Sequence, residues 1–240
     1  MFRVVLAMVL LFGVAALPVS AQDLEKAPPL LMLKQLTPTH PERVILTFNH
    51  MAGIQPDFSA WARISPFLKN AKRVDHVSII GREENRLQRL WVESDFTTPI
   101  IVQTRIQLDE YSTLQETLTL SEFTPKTFFS YNIYGQNVAI VPNDIATFGA
   151  IQIDKTQMEE MLQKTGGGQA VAELILKPVV ADAKTPFVQA GIQYWLLLAE
   201  IGEIRFWNMS NDNPQLLWMH RADWYKPEQD ESLLKLKGVQ

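Results

Sequence analysis

The chain of 240 residues contains no cysteine. That absence excludes disulfides, thiolate metal sites and thiol catalysis, and it leaves no residue to carry a lipid at a cleavage site. Other absences are as informative. There is no basic stripe: 22 Lys and Arg stand against 26 Asp and Glu, a formal charge of −4. Nucleic-acid affinity comes from neutralising phosphates, so that class is disfavoured, and an anionic membrane surface by the same argument. After the first 21 residues no long apolar run remains. Trp195 to Ala199 is the most apolar later stretch, and five residues suit a buried strand rather than a membrane span.

Catalytic motifs are missing too. Gly166-Gly167-Gly168 follows an expected helix and precedes an expected strand. That is the reverse of a phosphate-cradling loop, and no Gly-Lys-Ser/Thr follows, so a helix stop is the expectation. His40, His50, His76 and His220 form no pair at metal-ligand spacing, and no metal or cofactor is expected. Neither a Gly-x-Ser-x-Gly elbow nor Ser-x-x-Lys with its partner motifs occurs. Asp109-Glu110 and Glu159-Glu160 are adjacent acids that point in different directions, unlike the facing carboxylates of a glycosidase. Asn208-Met209-Ser210 matches a glycosylation sequon, a match that would be accidental in a bacterial protein.

What is present begins with an address. Met1-Phe2-Arg3 carries one positive charge, Val4 to Leu17 is a 14-residue apolar run, Pro18 breaks it, and Val19-Ser20-Ala21 supplies short residues for cleavage. This three-part layout predicts a signal peptide over 1–21 and a product starting at Gln22. The run falls short of the ~18 residues of a spanning helix. With no cysteine after the cleavage point, the expected compartment is a bacterial periplasm, or secretion.

The remaining 219 residues are ordinary in composition and large enough for one shared core. A helical segment is predicted over 22–95 and a mainly antiparallel β segment with a C-terminal helix over 96–240. Pro41 to Met51 fits helix or strand. Asp57 caps a helix with Phe58, Trp61 and Ala62. Ser65-Pro66 opens a second, carrying Phe67, Leu68, Ala71 and Val74 inward. A third runs from Val77 to Val92, with Ile80, Leu87, Leu90 and Trp91 as its apolar side and Arg82, Glu83, Glu84, Arg86 and Arg89 as a charged face.

Strands are predicted over Ile100 to Leu108, in a hairpin from Phe128 to Val141 turning at Gly135, over Val171 to Lys177, Gly191 to Met209 and Leu216 to His220. The link around Ala181 to Pro186 is too short for a crossover, which implies antiparallel pairing. Thr156 to Glu159 reads as a capping box for a short helix ended by Gly166. Gly202 marks a bulge or bend. Pro227 to Gly238 has acids first and lysines last, as a closing helix would. The whole reads as α+β: helices packed on an antiparallel sheet of about six strands.

Asp57-Phe58-Ser59-Ala60-Trp61-Ala62, Ser65-Pro66-Phe67, the arginine-rich helix and Phe128-Phe129-Ser130-Tyr131 together resemble exported bacterial proteins classed as domains of unknown function. The resemblance covers roughly residues 41–145 and rests on packing residues. It implies compartment and fold, no activity, and no catalytic residue.

Four of the six tryptophans, Trp195, Trp207, Trp218 and Trp224, fall close together with Tyr194, Phe206 and Tyr225 beside them. Core packing is the main expectation, with Trp207 and Trp218 pairing across neighbouring strands. Trp218, Trp224, Tyr225 and His220 are the candidate ligand-binding residues. The leading functional expectation is a non-catalytic envelope protein that binds a partner protein or envelope component through the sheet or its rim. A periplasmic hydrolase of peptidoglycan or another glycan, and a small-ligand carrier, are the alternatives.

Overall fold

The computed structural model describes residues 35–68, 72–108, 110–166, 168–209 and 212–226. The signal peptide expected over residues 1–21, most of the segment before Leu36 and the helix expected from Pro227 lie outside them.

The ambiguous stretch after His40 is a helix, α1 (Pro41–Met51). Proline at its first position is preset for helical φ, and His40 Nδ1 accepts the Glu42 N–H at 3.3 Å. Val44, Ile45, Leu46 and Phe48 are buried together with Glu42, Thr47 and Asn49, so α1 is covered on most sides and lies within the core. Asp57 Oδ1 accepts from the Ala60 N–H at 2.9 Å and starts α2 (Phe58–Arg63), which turns Trp61 inward.

Among the described residues the α-helix expected from Ser65-Pro66 is not present, and Ala71, expected on its inward side, lies outside them. Two short 3₁₀ turns, Pro66–Leu68 and Arg73–Asp75, take its place, and Phe67 and Val74 are exposed rather than inward. The Ser65 hydroxyl is bonded to Glu83 Oε1 at 3.0 Å, which ties the segment to the next helix and overrides propensity. That next helix, α3 (His76–Glu93), buries Leu87 as expected. Glu83, assigned to its charged face, is buried as well.

Strands β1 (Ile100–Gln107), β4 (Phe129–Ile133), β5 (Gln136–Pro142), β7 (Gln169–Gln189), β8 (Ile192–Asn208) and β9 (Leu216–Arg221) form the main sheet in the order β1-β7-β8-β5-β4. β9 also pairs with β8. β4 and β5 join through Tyr134-Gly135, both with positive φ as a tight hairpin turn requires. A smaller sheet holds β2 (Tyr111–Ser112), β3 (Thr117–Thr119) and β6 (Ala150–Gln152).

Three further expectations are corrected. Ala181 to Pro186 is not a link but part of β7, whose register shifts between Pro178 and Val180 and between Asp182 and Phe187 accommodate the two prolines. The sheet is mixed, because β5 and β8 run parallel. The chain between them makes a long crossover through β6, α4 (Lys155–Thr165) and β7, which a parallel pair needs. Finally, α4 is capped by Asp154, whose Oδ1 accepts the Gln157 N–H at 2.9 Å, rather than by Thr156. Gly166 ends it with φ +63, the left-handed conformation expected of a helix stop.

One face of the sheet, the inner one, packs on the helices. Val44, Phe48, Trp61 and Leu87 join Ile100, Leu174, Leu197 and Phe206 in a single cluster, so both halves of the chain share a core. Among the described residues no helix is long and apolar enough to cross a membrane.

Candidate binding face on the outer side of the sheet

Two ionic networks, one partly and one fully buried, decide what the polar residues are free to do. On the helical side, Arg86 of α3 lies between Glu42 of α1 and Glu83 of its own helix. Its Nη1 donates to Glu42 Oε2 at 3.0 Å and its Nε to Glu83 Oε2 at 2.8 Å. Nη2 donates to the other oxygen of each carboxylate. The Tyr134 hydroxyl, from the β4–β5 turn, donates to Glu42 and lies 3.2 Å from Glu83 Oε1. Trp61 stacks on the Tyr134 ring with centroids 4.9 Å apart.

The Arg86 guanidinium holds the Glu83 carboxyl below the usual range, with the Ser65 and Tyr134 hydroxyls assisting. Burial, then the Glu42 contact, raises the Tyr134 phenol. Every carboxylate oxygen of the pair is engaged, so neither acid presents a proton to a substrate as a general acid or base must.

The second network lies on the outer face. Glu173 (β7), Glu203 and Arg205 (β8) are at most 1 % exposed. Arg205 bridges the two acids: Nη1 donates to Glu173 Oε1 at 3.2 Å and Nε to Glu203 Oε1. Arg221 Nε donates to Glu203 Oε2 at 2.9 Å. Glu173 also accepts from Trp207 Nε1 at 3.3 Å, the Leu36 N–H at 2.7 Å and Gln103 Nε2 at 3.2 Å. Burial pushes the Glu173 carboxyl up against the opposing pull of Arg205. Leu36, Ile101, Ile175 and Tyr225 make a small apolar cluster on this side.

Sequence reasoning passed over both networks. The alternation Glu203-x-Arg205-x-Trp207 carries the available signal: a tryptophan sharing a strand face with two charges implies that the face is covered.

The four candidate ligand residues divide between the two sides of the sheet. Trp218 is 4 % exposed and lies against Phe206, ring centroids 4.7 Å apart. His220 shares its inner face and sits 4.9 Å from the Phe148 ring. Trp224 and Tyr225 lie on the outer face. Trp224 is 45 % exposed with Lys177 Nζ 5.4 Å from its ring centre, and Tyr225 is buried. They therefore share no pocket.

Trp218 does contribute to a cleft of about 180 Å³ between α4 and β9, lined also by Gln157, Glu160, Met161, Lys164, Leu216 and Leu217. Nor do Trp207 and Trp218 pair: a register shift puts Trp207 opposite Leu216, and it faces outward to Glu173. Trp195 packs partly buried against the inner cluster. Among the described residues no three of His, Asp and Glu come together to hold a metal ion.

Gly202 is the extra residue where Ile175 pairs with Glu203 but Leu176 with Ile201, a bulge as the sequence suggested. It also admits Tyr225: a Cβ at Gly202 would stand 2.8 Å from the tyrosine ring. Gly202→Ala is expected to displace that ring and cost about 1–3 kcal/mol, read as a lowered urea midpoint with unchanged m. A midpoint equal to wild type would mean that the ring is not seated there.

Beyond this bulge β7 and β8 continue as a long arm to the turn at Ala190-Gly191, both at positive φ. The arm's inner side, with Leu197 and Ala199, joins the core. Its outer side presents a different surface. Val180 pairs with Leu198, Asp182 with Leu196 and Phe187 with Tyr194, and Val141 of β5 lies beside Leu198. Leu196, Leu198, Tyr194 and Val141 are half-buried, while Val180, Phe187 and Ile192 are exposed. Phe128 meets Phe187 and Tyr194 at 5.8 and 5.6 Å. None of these residues belongs to either buried cluster.

An apolar sheet face continuous over three strands is a feature of interaction surfaces. No protein-family model matches the chain, and neither a curated protein nor a solved structure matches it.

Proposed function

We propose that this chain is an exported, non-catalytic cell-envelope protein that binds a partner protein on the outer face of the β7–β8 arm. The carrying observation is that Val141, Val180, Leu196 and Leu198 share one sheet face and join neither buried cluster. Apolar area of this kind gains free energy when covered, at about 25 cal/mol per Å².

The face is a better contact than the adjacent edge. Beyond Leu176 no described strand pairs with β7 on the β1 side, yet Pro178, Pro186 and Lys184 interrupt and charge that edge, as edges protected from strand addition do. The periplasmic placement rests on the sequence of residues 1–21 and the absence of cysteine. The non-catalytic role is supported by the full engagement of Glu42 and Glu83 and of Glu173 and Glu203 with arginines and other donors.

Photo-crosslinking from position 198 of the full chain, expressed in its native envelope, tests the reading. A discrete protein adduct that disappears in Leu196→Glu is the expected result. No adduct from position 198, or one insensitive to Leu196→Glu, overturns it.

A further inference from the structure

The far end of the β7–β8 arm stands alone. β1 follows β7 only as far as Leu176, and β5 reaches β8 no farther out than Trp195. From Phe187, paired with Tyr194, to the turn, the arm is therefore a two-stranded ribbon with no described strand on either edge. Val188 pairs with Gln193 and Gln189 with Ile192, and Ala190-Gly191 closes the ribbon with φ of +50 and +79. Two central residues at positive φ make a tight turn, so no loop covers the end. At about 3.3 Å per residue the ribbon reaches roughly 10 Å beyond its neighbours.

Its side chains are unusual for an exposed hairpin. From Thr185 to Ala199 no residue is charged. Residues 188 to 193 are all exposed, Val188 at 56 % and Ile192 at 45 % among them, and Phe187 beside them is 41 % exposed. Opposed residues share a face and successive pairs alternate, so Phe187 and Ile192 project on the outer side and Val188 on the inner. The polar side chains between them, Gln189 and Gln193, are neutral.

Aromatic rings stand just below this end. Tyr194, half-buried, meets Phe128 on the outer side, and Trp195 lies half-buried on the inner. Charge returns only beneath the rings. Asp182, opposite Leu196, accepts the Lys184 and Thr185 N–H groups on Oδ1 at 2.8 and 3.2 Å.

We infer that the end of the arm is a membrane contact: Phe187, Val188 and Ile192 enter the interfacial layer of a lipid bilayer, with Tyr194 and Trp195 at the level of the headgroups. A protein partner or a second copy covers one face of a ribbon. Apolar residues on both faces of an uncharged, two-edged end are covered together only by a medium that closes round it. Tyrosine and tryptophan, each a ring with one polar atom, suit the boundary between that medium and water.

The depth agrees. Interfacial elements bury about 5–10 Å, which the ribbon spans, while Asp182 stays about 13 Å below Ile192 along the strand. The open edges set the same limit, since unpaired backbone groups are not tolerated in the hydrocarbon centre. A chain of formal charge −4 gains nothing from anionic lipid, so the contact is apolar and insensitive to salt. This contact goes beyond the partner face centred on Leu196 and Leu198 and leaves that face uncovered.

A chain without cysteine allows a local test in the full-length protein. Ile192→Cys carries an environment-sensitive fluorophore, and Gln163→Cys on the exposed side of α4 is the control. Each is mixed with phosphatidylcholine vesicles bearing a nitroxide on the acyl chain. Quenching is expected at position 192 and not at position 163, and it should persist in about 1 M salt. Changing Phe187 and Val188 both to Asp should weaken the apparent lipid affinity about tenfold or more.

No quenching at position 192 overturns the inference, as does equal affinity in the Phe187→Asp, Val188→Asp variant. Quenching that needs anionic lipid and vanishes in salt overturns it too. So does a fluorophore already shielded without lipid and released on dilution, which would identify a second copy as the cover. An unchanged urea midpoint verifies that the variant folds; if the midpoint drops, Val188→Asp alone is used, and equal affinity again overturns the inference. Quenching at position 192 and crosslinking from position 198 read different surfaces, so failure of either leaves the other standing.

Discussion

Arg205→Met is expected to destabilise the protein by about 3–5 kcal/mol at neutral pH, because it leaves Glu173 and Glu203 facing each other without a bridging cation. Both acids are fully buried, so water cannot take the place of the guanidinium. Arg221 still reaches Glu203, but among the described residues Glu173 keeps only neutral donors: the Leu36 N–H, Gln103 and Trp207.

The sign of the pH dependence follows. Glu173 already has its carboxyl raised by burial, and Arg205 works against that rise. Without Arg205 the folded carboxyl moves higher still above its unfolded value. A group of that kind favours folding below the unfolded value and loses that contribution as pH rises through the folded one. The deficit of the variant should therefore be largest at pH 7 and shrink as pH falls through the carboxylate range. Urea unfolding of both proteins across that range measures it. A deficit independent of pH would mean that the cost is packing rather than uncompensated charge.

Arg86→Met should produce the second-largest loss, roughly 2–4 kcal/mol. It removes the one cation shared by Glu42 and Glu83 and detaches α1 and α3 from the β4–β5 turn, where Tyr134 bonds both acids. The cost is set below that of Arg205 because the Arg86 side chain is 36 % exposed, so water reaches the vacated position. Here the sign is the usual acidic one. The Glu83 carboxyl is held low by Arg86, so its contribution is present above the unfolded value, about 4.3, and lost as pH falls through the folded value. Wild type and variant should converge in acid and separate at neutral pH. Equal unfolding midpoints at pH 7 would show that the arginine does not secure this junction.

Much of the fold could be read from local chemistry. Asp57 as a cap, Gly166 as a helix stop, the hairpin at Gly135 and the bulge at Gly202 each rest on one residue's conformational or hydrogen-bonding preference, and each is present. The α4 cap departs by a local choice, Asp154 in place of Thr156, but elsewhere a distant partner decides. Ser65 turns to Glu83 instead of opening a helix, and the prolines at 178 and 186 are absorbed at register shifts because β8 continues beside them.

The parallel β5–β8 pair joins residues more than fifty positions apart, beyond what a local link length can show. Periodicity puts Glu83 and Arg86 on a charged face of α3 without saying what opposes it. Glu42 and Tyr134, far away in sequence, complete that face. The aromatic residues were legible as core, as Trp207 and Trp218 are, but not which side of the sheet each occupies. The candidate face on the arm depends on register across β5, β7 and β8, which no single strand encodes.

If the outer face of the arm is the contact surface, a charge placed at its centre must weaken the contact. The most direct measurement is the affinity of the partner recovered by crosslinking for the wild-type chain and for Leu198→Glu, compared at matched thermal stability. A loss of about tenfold or more in Kd is expected, since a carboxylate placed in a desolvated apolar contact costs at least that factor. An unchanged Kd in a folded Leu198→Glu protein would contradict the claim.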